Sequence, residues 1–281
     1  MYLEAIKIFC DVVRCRSFSQ AGVANRVSQS AVSQNVLQLE KSLGVRLIDR
    51  SKRPLELTPA GRIYHEGCRD LVERYHAVEA RVKALSDEVV GDVRVAAIYS
   101  VGLSAMSQYL ERFARRYPRA SIRLAYVHPD KVYESVLDRN VELGLVSYPR
   151  SGGKLASLPW RDEPMVMVCP PAHALANQSA VSARDLTGER FVAFDETLTI
   201  RDEIDRELRR HHADVRVAMT FDNIETIKRA VEIGEGISIL PEPTVRSEVQ
   251  AGTLTAIPLS SLRLTRPLGF VYRRSTELTR P

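Results

Sequence analysis

The sequence lacks the usual signatures of catalysis. It contains no GxSxG elbow, no GxxxxGK[ST] loop and no GxGxxG turn. Those absences exclude the common frameworks for serine hydrolysis, nucleoside triphosphate binding and dinucleotide binding. Cysteine is sparse. Cys10, Cys15, Cys68 and Cys169 form no CxxC pair, and the six histidines supply no zinc-like spacing. Reduced core thiols and no metal are therefore expected. No apolar run approaches the roughly 20 residues of a membrane helix. The opening Met1-Tyr2-Leu3-Glu4-Ala5 does not read as a secretory leader. A cytoplasmic protein without a membrane partner is expected. The paired His211-His212 is expected within a charged helix, Arg206 to His212, on a solvated face where Glu203 and Glu207 find surface partners at helical spacing. No catalytic role is assigned to them, and the chain is not expected to be an enzyme.

What is present is a sizeable apolar fraction, 44% of 281 residues, enough for more than one domain. The net charge of +5 is unevenly spread. Residues 1–65 hold ten Lys or Arg against five acids, so they carry the whole excess and the remainder is balanced. A basic end on a neutral body points to a polyanion or to a merely solubilised surface.

Leu3, Ile6, Phe9, Val12 and Val13 recur at helical spacing. Ser19 is the expected cap of a second helix reaching Arg26. Ser28 is the expected cap of a third, ended by Gly44. Val32, Val36, Leu39 and Leu43 form the third helix's apolar stripe. Two short apolar runs then flank a basic hairpin tip, Arg50-Ser51-Lys52-Arg53. Helix, turn, helix and basic wing suit a DNA reader whose third helix enters the major groove. Its candidate DNA-contacting residues are Ser28, Gln29, Ser30, Ser33, Gln34 and Gln38, with Arg50, Lys52 and Arg53 reaching phosphates or the minor groove.

Thr58 and Pro59 start a long helix. Along it Tyr64, Cys68, Leu71, Tyr75, Val78, Val82, Leu85 and Val89 recur at alternating spacings of four and three. That is a heptad seam, expected to pair with a second copy of the chain or to pack on its own. From residue 91 strands and helices alternate twice, with a break near Pro159–Pro164. Two α/β lobes with largely parallel sheets and a ligand cleft between them are expected.

The segments Ser17-Phe18-Ser19-Gln20-Ala21, Val27-Ser28-Gln29-Ser30-Ala31-Val32-Ser33-Gln34, Leu39 to Arg50 and Leu57-Thr58-Pro59-Ala60-Gly61 resemble the LysR-type transcriptional regulators. The layout matches over essentially the whole chain. The resemblance implies an α-rich winged helix-turn-helix (1–58), a linker and dimerisation helix (59–90) and a two-lobed effector domain similar to periplasmic binding proteins (91–281). Lobe 1 would span about 91–161 and 267–281, and lobe 2 about 162–266. It implies a homodimer or homotetramer on a double-stranded operator, RNA polymerase as a further partner, and a small-molecule co-inducer between the lobes. Five positions depart from the family's habit. Gly22 and Asn25 stand where alanine and leucine are usual, Gln34 and Leu37 where basic residues are frequent, and Ile48 where phenylalanine is common.

Ligands of two-lobed α/β proteins sit beyond strand ends at helix N-termini. Tyr99, Ser100 and Val101 follow the first sensor strand, and His128 and Ser147-Tyr148 follow the next two. Thr197, Thr199 and Ile200, with Asp222 and Asn223, occupy matching places in the other lobe. Ser100 suits an anionic group, so the co-inducer is expected to be anionic. Two further readings stay open: a solute-binding module with a protein-contacting N-terminal region, and a catalytic α/β domain for which no residues nominate a reaction.

Overall fold

A computed structural model of the protein describes residues 2–52, 54–83 and 89–275. The wing residue Arg53 and the seam residue Leu85 lie outside the described residues. The chain divides at Val89 and Val90 into two compact units.

The first unit opens with α1 (Tyr2–Cys15), α2 (Phe18–Asn25) and α3 (Gln29–Leu43). Ile8, Phe9 and Val12 of α1 close a core with Ala21 of α2 and with Val32, Val36 and Leu39 of α3. Burial of each larger side chain there contributes roughly 1.5–3 kcal/mol. Leu43, expected on the same stripe, stays exposed. The cap of α2 is Ser17 rather than Ser19. Ser17 has an extended backbone and accepts the Gln20 N–H at 3.3 Å, whereas Ser19 already lies inside the first turn. A Cβ on Gly22 would stand 2.8 Å from the Val27 carbonyl oxygen, which accounts for glycine where alanine is usual. Asn25 is half-buried and donates to Asp11 at 2.8 Å and to the Ala21 carbonyl at 3.0 Å, so the polar side chain is satisfied.

Ser28 caps α3 by accepting the Ala31 N–H at 3.2 Å, and Gly44 ends it in the left-handed region at φ +69°. The wing is a short antiparallel pair, β1 (Ile48–Asp49) with β2 (Glu56–Leu57). The Thr58 hydroxyl then caps α4 (Pro59–Lys83) by accepting the Gly61 N–H at 2.9 Å. The first two seam positions serve this unit. The Tyr64 ring lies 5.7 Å from that of Phe9, tilted by 60°, and Cys68 is buried. Further along α4, Leu71, Tyr75, Val78 and Val82 are exposed.

The second unit has two hydrophobic cores. One gathers around Ala97, Val101, Val132 and Leu145, the other around Met167, Phe191, Ile204, Ile227 and Ile239. The first lobe contains β3 (Gly91–Ala97), α5 (Tyr99–Arg116), β4 (Ala120–Tyr126), α6 (Pro129–Leu137) and β5 (Leu143–Ser147). β6 (Leu155–Cys169) then leads into the second lobe, with β7 (Arg190–Phe194), α7 (Thr199–Arg210), β8 (Arg216–Phe221), α8 (Ile224–Glu232), β9 (Ser238–Pro241), α9 (Arg246–Ala251) and β10 (Thr255–Pro258). β11 (Thr265–Arg273) returns to the first.

Two expectations need correction here. The sheets are mixed rather than largely parallel. β3 pairs in parallel with β4 and β5, and β7 with β8, while β6, β9, β10 and β11 pair antiparallel. The expected break at Pro159–Pro164 is also absent, because β6 runs straight through it. From Leu155 to Pro164 it pairs with β11 alone, and from Met165 onward with β9 and β10. Proline lacks the N–H a ladder needs but is tolerated where one side of a strand is unpaired. Pro159 sits opposite Gly269 at a register shift, and Pro164 sits where the partners change. β6 and β11 are therefore the two strands that pass between the lobes.

Candidate functional site

In the first unit, the N-terminal face of α3 presents Gln29, Ser30, Gln34 and Gln38 to solvent, with Ser33 half-buried. The Ser28 hydroxyl is shared between its cap and the Ser30 hydroxyl, 2.9 Å away. These are small or amide side chains that both donate and accept, the chemistry that base edges require. Arg50 is placed differently from the expected tip. Its guanidinium folds back onto α3, donating to the Ser33 hydroxyl at 3.4 Å and to Glu40 at 3.3 Å, and lies 5.2 Å from the centre of the Phe18 ring. Lys52 pairs with Glu56 at 2.7 Å on the exposed wing, and that contact raises its pKa.

Glu40 was not singled out from the sequence. It is buried, and its Oε1 accepts the N–H groups of Leu47 at 2.8 Å and Ile48 at 3.1 Å while Oε2 holds Arg50. One carboxylate thus ties the root of the wing to the recognition helix. Its only sequence signal is an acid among the apolar positions of α3.

In the second unit, a cavity of about 250 Å³ opens between the lobes. Tyr99, Ser100, His128, Ser147, Thr197, Thr199 and Ile200 line it, together with Asp222 and Asn223. Val101 does not. It is wholly buried in the first lobe's core, because at the third residue of α5 the side chain turns inward. The starts of four helices meet at this cavity: α5, α6, α7 and α8. His128 caps α6 and Asn223 caps α8 through their side chains. α5 and α7, one from each lobe, have Ile98 and Leu198 at the cap position and no side-chain cap. Their positive ends face the cavity without a side-chain cap, which suits a negatively charged guest.

Two lining residues, Arg150 and Arg266, were missed, while Tyr148 was expected beside Ser147. Arg150 follows β5 and donates across the lobes to the Thr199 hydroxyl at 2.8 Å. Tyr148 adopts the left-handed region at φ 49°, and burial pushes its hydroxyl pKa up to about 12, so it stays protonated at neutral pH. Arg266 is 1% exposed and donates through Nη1 to the Ser100 hydroxyl at 2.8 Å. Its Nε donates to Glu163 at 3.0 Å and its Nη2 contacts the same carboxylate. Burial pulls the Arg266 pKa down, and the Glu163 charge opposes that. Arg161, 4.4 Å from the Trp160 ring centre, donates to the other Glu163 oxygen at 2.5 Å. A second recess of about 660 Å³, walled by Arg161, Glu163, Lys228 and Glu248, also touches Ser100. Among the described residues no cluster suited to a metal ion occurs, and no helix is long and apolar enough to cross a membrane.

The chain matches two family models. Residues 3–62 match the bacterial regulatory helix-turn-helix protein, lysR family, and residues 86–281 the LysR substrate binding domain. It is 30% identical over 277 residues to YeiE of Escherichia coli strain K12, described as an uncharacterized HTH-type transcriptional regulator, covering 99% of this chain and 93% of that one. A full-length OxyR variant from Pseudomonas aeruginosa has a similar fold, with a TM-score of 0.78 at 21% identity, over 97% of this chain and 89% of that one. The regulatory domain of CcmR from Synechocystis PCC6803, solved in complex with 2-PG, aligns at 25% identity and a TM-score of 0.60, over 67% of this chain and 90% of that one.

Proposed function

The chain belongs to the LysR family of bacterial regulators, and on that premise we propose how its own residues carry out DNA binding and effector control. As a family member it is a DNA-binding transcriptional regulator with an effector-binding domain, not an enzyme. The N-terminal face of α3 reads base edges through Gln29, Ser30, Ser33, Gln34 and Gln38, with Ser28 holding the start of the helix in place. Lys52 and Arg53 on the wing supply phosphate contacts. Arg50 acts mainly by bracing Ser33, since its guanidinium is engaged with Glu40 and Phe18.

A second copy of the chain covers the exposed Leu71, Tyr75, Val78 and Val82. An apolar heptad row left in water is unfavourable, and pairing two such helices places two winged helices on a partly palindromic operator. A homodimer, or a tetramer built from it, acts in the cytoplasm and meets RNA polymerase at the promoter.

The effector is a small molecule taken between the lobes. The observation that carries this reading is the 250 Å³ cavity ringed by four helix starts and crossed by the Arg150–Thr199 hydrogen bond. A ligand there engages both lobes at once and favours one arrangement over the other. That shifts the half-sites that the paired winged helices engage. Footprinting on the region upstream of the protein's own gene, with and without 2-PG, is the first test, because that compound accompanies the CcmR domain. A ligand-dependent change in protected length or bend supports the mechanism. A ligand that binds the cavity yet leaves the footprint unchanged refutes it.

A further inference from the structure

Arg266 and Glu163 are partners across the β6–β11 ladder, at the place where both strands pass between the lobes. Each is 1% exposed, and no other ion pair among the described residues is this deeply buried on both sides. A buried ion pair is a costly way to join two strands, because desolvation offsets most of its attraction and an apolar pair of similar volume serves stability as well or better. Its position suggests another use. Arg266 reaches the interlobe cavity and donates to Ser100 at the start of α5. A guanidinium has five N–H donors. Glu163 and Ser100 engage one on each of the three nitrogens, and two remain.

We propose that the interlobe cavity takes a small oxyanion and that Arg266 reads its charge, passing the event to the crossover strands through Glu163. This rests on the interlobe reading given above and adds the ligand class and the sensing residue. The interior of the cavity favours an anion. Arg150 pairs with no carboxylate among the described residues. Of the lining acids, Asp130 is exposed and lies 3.7 Å from His128, and Asp222 is exposed. The cavity's volume limits the guest to a small molecule.

An oxyanion seated at Ser100 competes with Glu163 for the guanidinium. Charge-assisted contacts of this kind are strong and directional, so a new one changes how firmly Arg266 holds Glu163. Because the pair bridges the crossover strands, the change is felt where the lobes rotate. Arg161, on the far oxygen of Glu163, keeps that carboxylate partnered as its share of Arg266 falls.

The test uses the full chain, with inorganic phosphate and sulfate as probes and glycerol as a neutral control. Calorimetric titration is expected to show one site for the oxyanions and none for glycerol. Arg266→Met is expected to weaken binding at least tenfold. Glu163→Gln is expected to retain binding while losing the anion-induced change in small-angle scattering. Should Arg266→Met fail to fold, Arg266→Lys carries the test. A lysine keeps the charge but cannot face ligand and Glu163 together, so binding persists and the scattering change is lost. Wild-type protein that binds neither probe overturns the ligand class. A double variant, Arg150→Gln with Thr199→Val, separates the two ideas. If it abolishes binding while Arg266 variants bind and respond normally, the cavity reading stands and the sensor is refuted. If every variant behaves as wild type, the ion lies elsewhere and both fail.

Discussion

The Glu40 carboxylate on the recognition helix accepts from the Arg50 guanidinium at the wing, 3.3 Å away. The same carboxylate holds the Leu47 and Ile48 N–H groups. Glu40→Ala removes the acceptor for two backbone donors at the root of the wing. An unsatisfied buried donor costs about 1–3 kcal/mol. Glu40→Ala is therefore expected to lower the melting temperature of the DNA-binding unit and to weaken DNA binding, with Glu40→Gln milder because it keeps one acceptor. Unchanged melting in Glu40→Ala would show that the network contributes nothing.

Reading and anchoring separate by salt. Gln34→Ala removes an exposed amide proposed to read a base, so it is expected to reduce discrimination by about 1–3 kcal/mol at one base pair. Its plot of log affinity against log salt keeps the wild-type slope. Lys52→Ala is expected to weaken all sequences alike and to lower that slope by about one. Titrations at several salt concentrations check both, and a reversed pattern exchanges the two roles.

The exposed part of the seam predicts an oligomerisation variant. Val78→Asp, in the middle of the exposed row of α4, is expected to shift the protein toward monomer in sedimentation velocity and to lose operator affinity. The melting temperature of the sensor unit should not move. A variant that stays dimeric places the interface elsewhere.

Cys169 is buried, and burial together with the Glu189 charge pushes its pKa up to about 11. At pH 7 that leaves roughly one thiol in ten thousand ionised, and the thiolate is the reactive form. Native protein at neutral pH is expected to show no rapid labelling of Cys169 by a disulfide reagent. Cys169→Ser is expected to leave ligand-dependent DNA binding unchanged. Rapid labelling that precedes unfolding would contradict this.

Much of the fold was legible because it rests on local rules. Ser28 and Gly44 bracket α3 as their cap chemistry requires, and the period of Val32, Val36 and Leu39 set its buried face. Ser100 and Thr199 were reachable because each lies in the first turn of a helix that follows a strand. Val101 failed one position later, since a helix turns successive side chains by about 100° and the next one faces the core.

The chain's order of residues by itself determined the winged helix, the long helix with its apolar row and the alternation that makes two lobes, because periodicity and capping act within a few residues. Only the tertiary structure decided which partners the arginines meet. Arg50 turns inward to Glu40, and Arg150 reaches Thr199. Arg266 joins Glu163 although 103 positions separate them along the chain. Such pairings depend on strand register, and a strand running unbroken through Pro159 and Pro164 is visible only once its unpaired edge is known. Burial then sets the Arg266–Glu163 pair apart from the exposed contacts, and burial belongs to the folded chain.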